Sequence, residues 1–454
     1  MKKTSGDLTQ GPVFKTLFRY SVPIIAINVV LSLFHAADIA TLSFLAGDKA
    51  VAAVGACGTI ITLLISFFTA FATGAEVLVA KRTGAQDGDG VKRATGTALV
   101  IGFLSGILLM AVAVSFAKKL LILTNCQQEV LAMATTYMRI YFLGMPVIML
   151  TSFASAILRA SGDSLRPMIY TFISGGVNIL LNLLFILILP SPVAGVAVAT
   201  VLSNLLALVM ILLAMLKPKC ICKIEAKNLR IGKTEFNETL RVAVPTCLCS
   251  IFFYAANVIL SACVNDLSTE AMTANAISGH FDGLIYTVGC AIAVAVSAMV
   301  GQNYGAGRLD RIQATIKTGV VYATFASLLL GAVMVLISPP LLKIMSNDEN
   351  VVSIAKDKVT LLCFTYFVTS IMEVFAFSLR SLRREKSTMV VGAVCGLGVR
   401  CLWAWFIWPF NPTLPMLFSS YAISAFFAII IYLFVYKKAV KSLRQEFTPN
   451  MQND

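Results

Sequence analysis

The stretch Arg19-Tyr-Ser-Val-Pro23 has a counterpart in Arg241-Val-Ala-Val-Pro245, 222 residues further along the chain. Each copy stands where a polar, basic segment gives way to a long apolar run. Further matches lie 221 residues apart: Val79, Gly84 and Ala85 with Val300, Gly305 and Ala306, and Leu158-Arg159 with Leu379-Arg380. This nearly constant offset over most of the chain indicates an internal repeat of about half its length.

Twelve apolar runs fill the sequence, and each is long enough to cross a membrane as a helix of roughly 20 residues. With 58% hydrophobic and 13% charged residues, the 454-residue chain cannot cover itself with a polar surface, since soluble domains carry roughly 25% charged residues. In lipid the backbone must satisfy its own hydrogen bonds, so the spans are helical. The runs fall at about 20–45, 50–79, 95–117, 133–157, 168–190, 192–216, 242–264, 272–300, 318–338, 354–378, 388–409 and 413–436.

The repeat divides these runs into two sets of six. An even number of spans per copy makes both copies enter the membrane from the same side, as in transporters with parallel repeats. We therefore predict an all-α polytopic membrane protein, with twelve transmembrane helices in two homologous six-helix lobes around a central cavity. Residues 12–216 form the N-lobe, 217–241 a cytoplasmic linker, 242–436 the C-lobe and 437–454 a cytoplasmic tail.

Lys and Arg cluster in alternate connecting segments, whereas the opposite segments and span ends carry few, among them Lys356 and Lys358. Basic segments stay in the cytoplasm, so we predict a multi-pass protein of the bacterial cytoplasmic (inner) membrane with both termini inside. The first run is too long for a signal-peptide core and is expected to remain as a span. Because the net charge of +14 is spread over short clusters between apolar runs, we expect no nucleic-acid partner.

Four acids lie inside the apolar runs, where a charge costs about 2.5–3.5 kcal/mol on insertion scales. They are Asp38, Glu76, Asp282 and Glu373. Asp38 lies three residues after His35, on the same helical face. A buried carboxylate of this kind can exchange a proton or bind Na⁺, although a structural hydrogen bond would also explain it. His35 is a candidate to contact substrate or to be packed structurally, and Glu76 is expected to pair with Lys81 or Arg82.

The second half of the chain offers candidates for substrate binding. Asp282 and Glu373 can meet the charge of a cationic substrate, and Tyr254 and Tyr286 can contact its aromatic surface. Arg400 is the one basic residue well inside a late span. We expect it either to neutralise Asp282 or Glu373, or to extend its charged end to the membrane interface.

Polar residues and prolines within the spans suggest further roles. Asn178, Asn182 and Thr200 can supply neutral oxygens to Na⁺, which is a hard cation, but such side chains also hold helices together in lipid. Pro23 and Pro245 sit early in the first span of each half. They are either tolerated kinks or bending points for gating.

Four segments resemble the multidrug and toxic compound extrusion (MATE) family. These are Gly74-Ala-Glu-Val-Leu-Val-Ala-Lys-Arg-Thr-Gly-Ala85, its partner Val300-Gly-Gln-Asn-Tyr-Gly-Ala-Gly307, Ile157-Leu-Arg-Ala-Ser-Gly-Asp163 and Ala194-Gly-Val-Ala-Val-Ala-Thr200. The resemblance covers residues from about 12 to 440. The second half departs from it, because Leu379-Arg-Ser-Leu-Arg-Arg-Glu385 lacks the Ser-Gly-Asp turn of its counterpart.

The resemblance implies an antiporter that exports amphipathic, often cationic drugs in exchange for Na⁺ or H⁺. It also implies an ion-coupling site at Asp38, with Asn178 and Thr200 as its polar partners. Asn182 stands where many members of the family carry a second acid. We therefore expect H⁺ or Na⁺ as coupling ion and no other cofactor. The expected partners are a small amphipathic substrate and membrane lipids, and the protein is expected to act as a monomer.

Two other functions are compatible with a polytopic membrane protein. A lipid-linked oligosaccharide flippase would have a strongly cationic cavity, whereas acids outnumber bases within these spans. A membrane-embedded enzyme needs a nucleophile, a base or metal ligands gathered near the interface. The two histidines are far apart, and Cys220 and Cys222 have no second Cys pair to complete a metal site. No P-loop is present to suggest ATP as energy source, and we expect the protein not to be an enzyme.

Overall fold

The structure is a computed structural model that describes residues 7–447 except 125, 190 and 347, without the side chains of 36, 40, 48 and 59. Within that part the chain forms thirteen long helices and no strand. They are α1 (Val13–Ala46), α2 (Asp48–Gly84), α3 (Gly88–Leu123), α4 (Gln128–Leu143), α5 (Met145–Ala160), α6 (Leu165–Ile188), α7 (Pro192–Leu216), α8 (Lys233–Asn265), α9 (Thr269–Gly305), α10 (Leu309–Met345), α11 (Glu349–Ser381), α12 (Glu385–Phe410) and α13 (Leu414–Phe447). A short 3₁₀ turn, Ala226–Asn228, precedes α8.

Eleven of the described helices are individually long and apolar enough to cross a membrane. The helices α4 and α5 meet at a bend of 50° and together supply the twelfth span. Large side chains cover their outer surfaces, with Leu187 72%, Leu336 77% and Phe406 64% exposed. Apolar surface on this scale is stable only in contact with lipid, so the predicted all-helical, twelve-span membrane fold is confirmed.

The bend between α4 and α5 falls within the run predicted as one span over 133–157. Gly144 lies at the bend, and a Cβ there would stand 2.3 Å from a methyl of Val201. Pro146 follows at the start of α5, a position where a missing N–H costs the helix nothing. The helix therefore ends and restarts here, although the apolar composition continues without interruption.

The internal repeat is visible in the helix ends and in the turns that follow them. The first residues of α2 and α9 are 221 positions apart, and so are their last residues. The same separation relates two pairs of residues with positive φ. Gln86 (φ 56°) corresponds to Gly307 (φ 69°), and Gly162 (φ 90°) to Arg383 (φ 61°). One member of each pair is glycine, which adopts this conformation without strain. The turn after α11 thus keeps its shape although its sequence has lost the Ser-Gly-Asp motif.

The chain forms two compact units, and α1 and α8 each contribute residues to both of them. The first unit is built mainly from Ala26–Cys247, and the second from Leu8–Ile25 with the residues from Leu248 onward. In each helix the change of unit comes two residues after a proline, Pro23 or Pro245. The lobe boundaries predicted at 216 and 242 remain predictions.

An ion pair with a buried carboxylate joins α2 to α5 in the first unit. The guanidinium of Arg159 on α5 donates two hydrogen bonds to the Glu76 carboxylate on α2, at 3.3 and 3.4 Å. The expected pairing of Glu76 with Lys81 or Arg82 is therefore wrong. Arg82 lies 2.8 Å from Asp87 and 3.4 Å from Glu238. Glu76 prefers Arg159 because a planar guanidinium binds both carboxylate oxygens at once.

The start of α1 is anchored within the second unit. The backbone N–H of Leu8 donates to the side-chain oxygen of Gln302 at 3.0 Å. Arg311 on α10 donates to the carbonyl of Gly11 at 2.7 Å, and the rings of Phe18 and Tyr322 lie 5.7 Å apart. The first turns of α1 are thus held on the second unit by polar and aromatic contacts.

Candidate coupling and substrate sites

A polar cluster inside the first unit joins α1 to α6. The side-chain amide of Asn182 donates a hydrogen bond to the carboxylate of Asp38 and lies 3.4 Å from Oδ1 of Asn178. Asn178 and Asn182 are four residues apart, so they present their amides on one face of α6. Both amides are buried. The structure therefore brings together three of the four residues proposed for ion coupling.

The oxygen Oδ1 of Asn182 is buried and accepts no hydrogen bond from the described residues. Leaving such an acceptor unsatisfied costs about 1–3 kcal/mol. The nitrogen of this amide faces the Asp38 carboxylate, so a cation beside Asp38 can use the oxygen once the Asn182 amide rotates, and carboxylate and amide oxygens are preferred ligands of hard cations. The cluster has the chemistry to hold either Na⁺ or a proton on Asp38.

Thr200 and His35, the other polar candidates of the first unit, are not joined to this cluster by any hydrogen bond among the described residues. The Thr200 hydroxyl donates to the carbonyl of Val196 in its own helix, at 2.9 Å. His35 is exposed. Their assignments to ion coupling and to substrate binding remain predictions.

The second unit contains a cavity of about 190 Å³, and five of its eleven lining residues are aromatic. Its lining comprises Phe253, Asp282, Gly283, Tyr286, Tyr366, Thr369, Met372, Glu373, Arg400, Phe418 and Tyr421. The Tyr286 hydroxyl donates to Glu373 at 3.3 Å, and the Tyr286 ring stacks on Phe253 with 6.0 Å between centroids. Three of the proposed substrate contacts, Asp282, Glu373 and Tyr286, thus line one cavity. Tyr254 is not in this lining and packs edge-on against Phe253, with 5.7 Å between ring centroids.

The cation that pairs with Asp282 is Lys358, which the sequence had placed at a span end. Its ammonium lies 2.9 Å from the Asp282 carboxylate and donates to Oδ1 of Asn275 at 2.7 Å. The ammonium also lies 4.0 Å from the centre of the Phe418 ring. Lys358 is only 1% exposed. The sequence shows no direct sign of this burial, because the neighbouring charges Lys356 and Asp357 are typical of the polar end of a span.

Helical spacing could have located Lys358. The buried residues Val351, Ala355 and Leu362 recur at intervals that place Lys358 on the same face of α11. A lysine on the buried face of a span needs an anionic partner. That requirement would have pointed to the acids of the neighbouring spans.

Arg400 is buried rather than extended to the membrane interface, with 4% exposure. Its guanidinium lies 4.0 Å from the ring centre of Tyr421 and 5.3 Å from that of Phe253. Nε donates to the Ser424 hydroxyl at 3.3 Å, whereas Nη1 is buried and has no hydrogen-bond partner among the described residues. Of the two carboxylates that Arg400 was expected to neutralise, Asp282 is paired with Lys358 instead. Glu373 interacts electrostatically with Arg400, although the two form no ion pair by direct contact.

The linker between the halves contains a close thiol pair. The Sγ atoms of Cys220 and Cys222 lie 3.4 Å apart, and the hydrogen bond from Cys222 lowers the pKa of Cys220 to about 7. In the described part of the chain, no group of three or more His, Cys, Asp or Glu side chains is arranged to hold a metal ion.

The helical spans, the repeat and the two polar sites define a membrane transport protein with duplicated halves. The MatE family model matches residues 23–184 and again residues 245–406. These matches cover more than half of the chain, which therefore belongs to the MATE family.

Individual relatives extend this comparison. The chain is 24% identical over 380 residues to the probable multidrug resistance protein YoeA of Bacillus subtilis, covering 81% of each chain. It is 25% identical over 386 residues to the probable multidrug resistance protein NorM of Thermotoga maritima, covering 83% of this chain and 82% of that protein. A crystal structure of a MATE protein in the straight conformation superimposes with a TM-score of 0.90 at 19% identity, covering 98% of this chain and 100% of that one.

Proposed function

We propose that this protein exports amphipathic organic molecules by alternating access, in exchange for Na⁺ or H⁺. The observation that carries the proposal is the contact between Asp38 and Asn182 inside the first unit. It places a carboxylate among helices in lipid, beside an amide oxygen that lacks a partner. A site of this kind binds a cation reversibly, which is the requirement for coupling.

The second unit supports the choice of an amphipathic substrate. Aromatic rings and Met372 line its cavity, and such surfaces adapt to apolar ligands of varied shape. Asp282 and Glu373 supply polar groups at the same cavity. The relatives from B. subtilis and T. maritima are both named as probable multidrug resistance proteins, which favours drugs or drug-like metabolites as substrates.

The proposed coupling cluster contains a single carboxylate, which limits the number of coupling ions bound in each transport cycle. One elementary charge moved across 100 mV supplies about 2.3 kcal/mol. Since a tenfold concentration ratio corresponds to about 1.4 kcal/mol, this maintains a substrate gradient of roughly 50-fold. For a substrate without net charge, one ion per cycle is thus sufficient for useful export. Exchange of one ion for a monocation moves no net charge, so that exchange is driven by the concentration gradient of the ion alone.

The flippase and enzyme alternatives have less support. The family match and the names of the relatives favour an exporter over a flippase. The described lining of the cavity contains both acidic and basic side chains. A pyrophosphate-linked lipid would require mainly cationic walls.

Uptake of ethidium into inside-out membrane vesicles tests the proposal. A Na⁺ gradient and a pH gradient are imposed separately, and vesicles that lack the protein serve as background. We expect one of the two gradients to drive uptake and thereby to name the coupling ion. Absence of gradient-driven uptake, in vesicles that contain folded protein, would refute cation-coupled drug export.

We further propose that Pro23 and Pro245 are bending points during transport, because each precedes the position where its helix passes to the other unit. Proline removes one helical hydrogen bond, so Pro23→Ala and Pro245→Ala should stiffen α1 and α8. We expect each variant to export several-fold more slowly, with thermal stability equal to or above that of the wild type. The measurements are the initial rate of ethidium export and the melting temperature.

The matched control for these variants is Pro192→Ala. Pro192 is the first residue of α7, where the missing N–H has no helical partner in any case. This variant should export at the wild-type rate. If Pro23→Ala and Pro245→Ala also do so, the two prolines are tolerated kinks and not bending points.

A further inference from the structure

We infer that the cavity of the second unit binds zwitterionic substrates and that Arg400 receives their carboxylate. The inference rests on the proposed function, because it assumes that this cavity holds the exported molecule. It goes beyond that function because it names a residue that binds an anionic group of the substrate. The sequence suggested only acids, which would bind a cationic group of the substrate.

The charges around the cavity are not equally available to a ligand. Asp282 is already neutralised by Lys358, and Glu373 accepts a hydrogen bond from Tyr286. No carboxylate of the described residues forms an ion pair with Arg400. The cavity therefore offers one carboxyl group outside an ion pair, Glu373, and one cation, Arg400, which interacts with Glu373 at longer range but has no carboxylate in direct contact.

The guanidinium of Arg400 is held in place but incompletely satisfied. Tyr421 and Phe253 flank it, and Ser424 accepts from Nε. These contacts fix the position of the group and leave Nη1 buried without an acceptor. An arginine fixed in this way loses little entropy when it binds a carboxylate, and the ligand offsets the cost of the unsatisfied donor.

Local backbone geometry also distinguishes this position. The segment Gly392–Val399, directly before Arg400, has π-helical hydrogen bonding. Such segments are rare and occur frequently at functional sites, because the extra residue per turn re-aims the side chains that follow. The unusual turn in α12 therefore immediately precedes the side chain that meets the cavity.

Cavity size limits how much of a ligand enters. Drug-sized ligands occupy pockets of roughly 300–1,000 Å³, and this cavity measures about 190 Å³. It accordingly admits a small zwitterion, or the carboxylate-bearing ring of a larger one. Glu373 lines the same cavity and can attract the cationic part of the molecule.

A matched pair of dyes tests the inference. Rhodamine 110 has a free carboxylate on a pendant ring and is zwitterionic at neutral pH, whereas rhodamine 123 is its methyl ester and is a cation. Binding to the purified full-length protein is measured by fluorescence polarisation. We expect rhodamine 110 to bind about tenfold more tightly than rhodamine 123. This ratio corresponds to the free energy of one charge-assisted hydrogen bond.

Substitution of Arg400 should remove this preference. Arg400→Met is expected to weaken the binding of rhodamine 110 about tenfold and to change the affinity for rhodamine 123 by less than about twofold. Arg400→Lys, which keeps the charge, should restore part of the preference. Arg139→Met is the control, because Arg139 is exposed on α4, and it should leave both affinities unchanged.

Three outcomes would overturn the inference: equal wild-type affinity for the two dyes, equal losses for both dyes in a folded Arg400→Met protein, or failure of rhodamine 110 to bind. These outcomes are separable from failure of the proposed function. Ion-driven ethidium uptake would persist if only the role of Arg400 were wrong.

Discussion

The variant Asp38→Asn should abolish ion-coupled export while the protein remains folded. Asparagine has nearly the shape of aspartate and retains an oxygen that can accept the hydrogen bond from Asn182, so the contact between α1 and α6 survives. The variant has no negative charge and cannot release a proton, and it offers Na⁺ only neutral oxygens. We expect gradient-driven ethidium uptake to fall to the background of vesicles without the protein.

The matched control for this variant is Asp89→Asn. The Asp89 side chain is 81% exposed at the start of α3, so the same chemical change there should leave export intact. Thermal unfolding in detergent checks that both variants are folded. Wild-type coupled export by Asp38→Asn would remove Asp38 from the mechanism, and with it the proposed coupling site.

The second large effect is expected in stability, at the buried pair of Lys358 and Asp282. Lys358→Met removes the cation and leaves the Asp282 carboxylate uncompensated in a low-dielectric interior. Breaking a buried pair from one side costs about 3–5 kcal/mol. We therefore expect a clear fall in the apparent melting temperature and in the yield of folded protein.

A double variant separates the loss of charge balance from the loss of packing. Lys358→Met combined with Asp282→Leu replaces both charges by apolar groups and should recover most of the lost stability, since such replacements are often neutral. Lys356→Met is the control, because Lys356 lies on the same helix but is exposed. A drop of the same size in Lys356→Met, or no recovery in the double variant, would contradict the assignment of Lys358 to Asp282.

Most of the fold was predictable because a membrane imposes strong and simple constraints. Span length and the requirement for internal backbone hydrogen bonds gave twelve helical segments, and the offset between Pro23 and Pro245 gave the repeat. The bend at Gly144 does not follow from span length or composition. Gly144 and Pro146 mark it in the sequence, but proline alone does not imply a break, since α1 continues through Pro23.

The site residues were predictable where a residue type is rarely tolerated inside a membrane span. An acid in the middle of a span, such as Asp38, stands out by its cost alone. The partners of such acids were harder to assign, since the sequence led us to expect Arg400 beside Asp282, whereas the structure places Lys358 there. Helical spacing indicates that Lys358 is on a buried face, but only the packing of α9 against α11 shows which acid it meets.

The repeat has a consequence for the history of the two halves. The turns after the paired helices kept the same backbone conformation at a separation of 221 residues. The buried polar groups did not stay alike, since the first unit holds Asp38 beside two amides, whereas the second holds the buried cations Lys358 and Arg400. Duplication thus preserved the scaffold and freed the interior side chains of each half to change separately, so that one half can acquire new binding chemistry without altering the fold of the other.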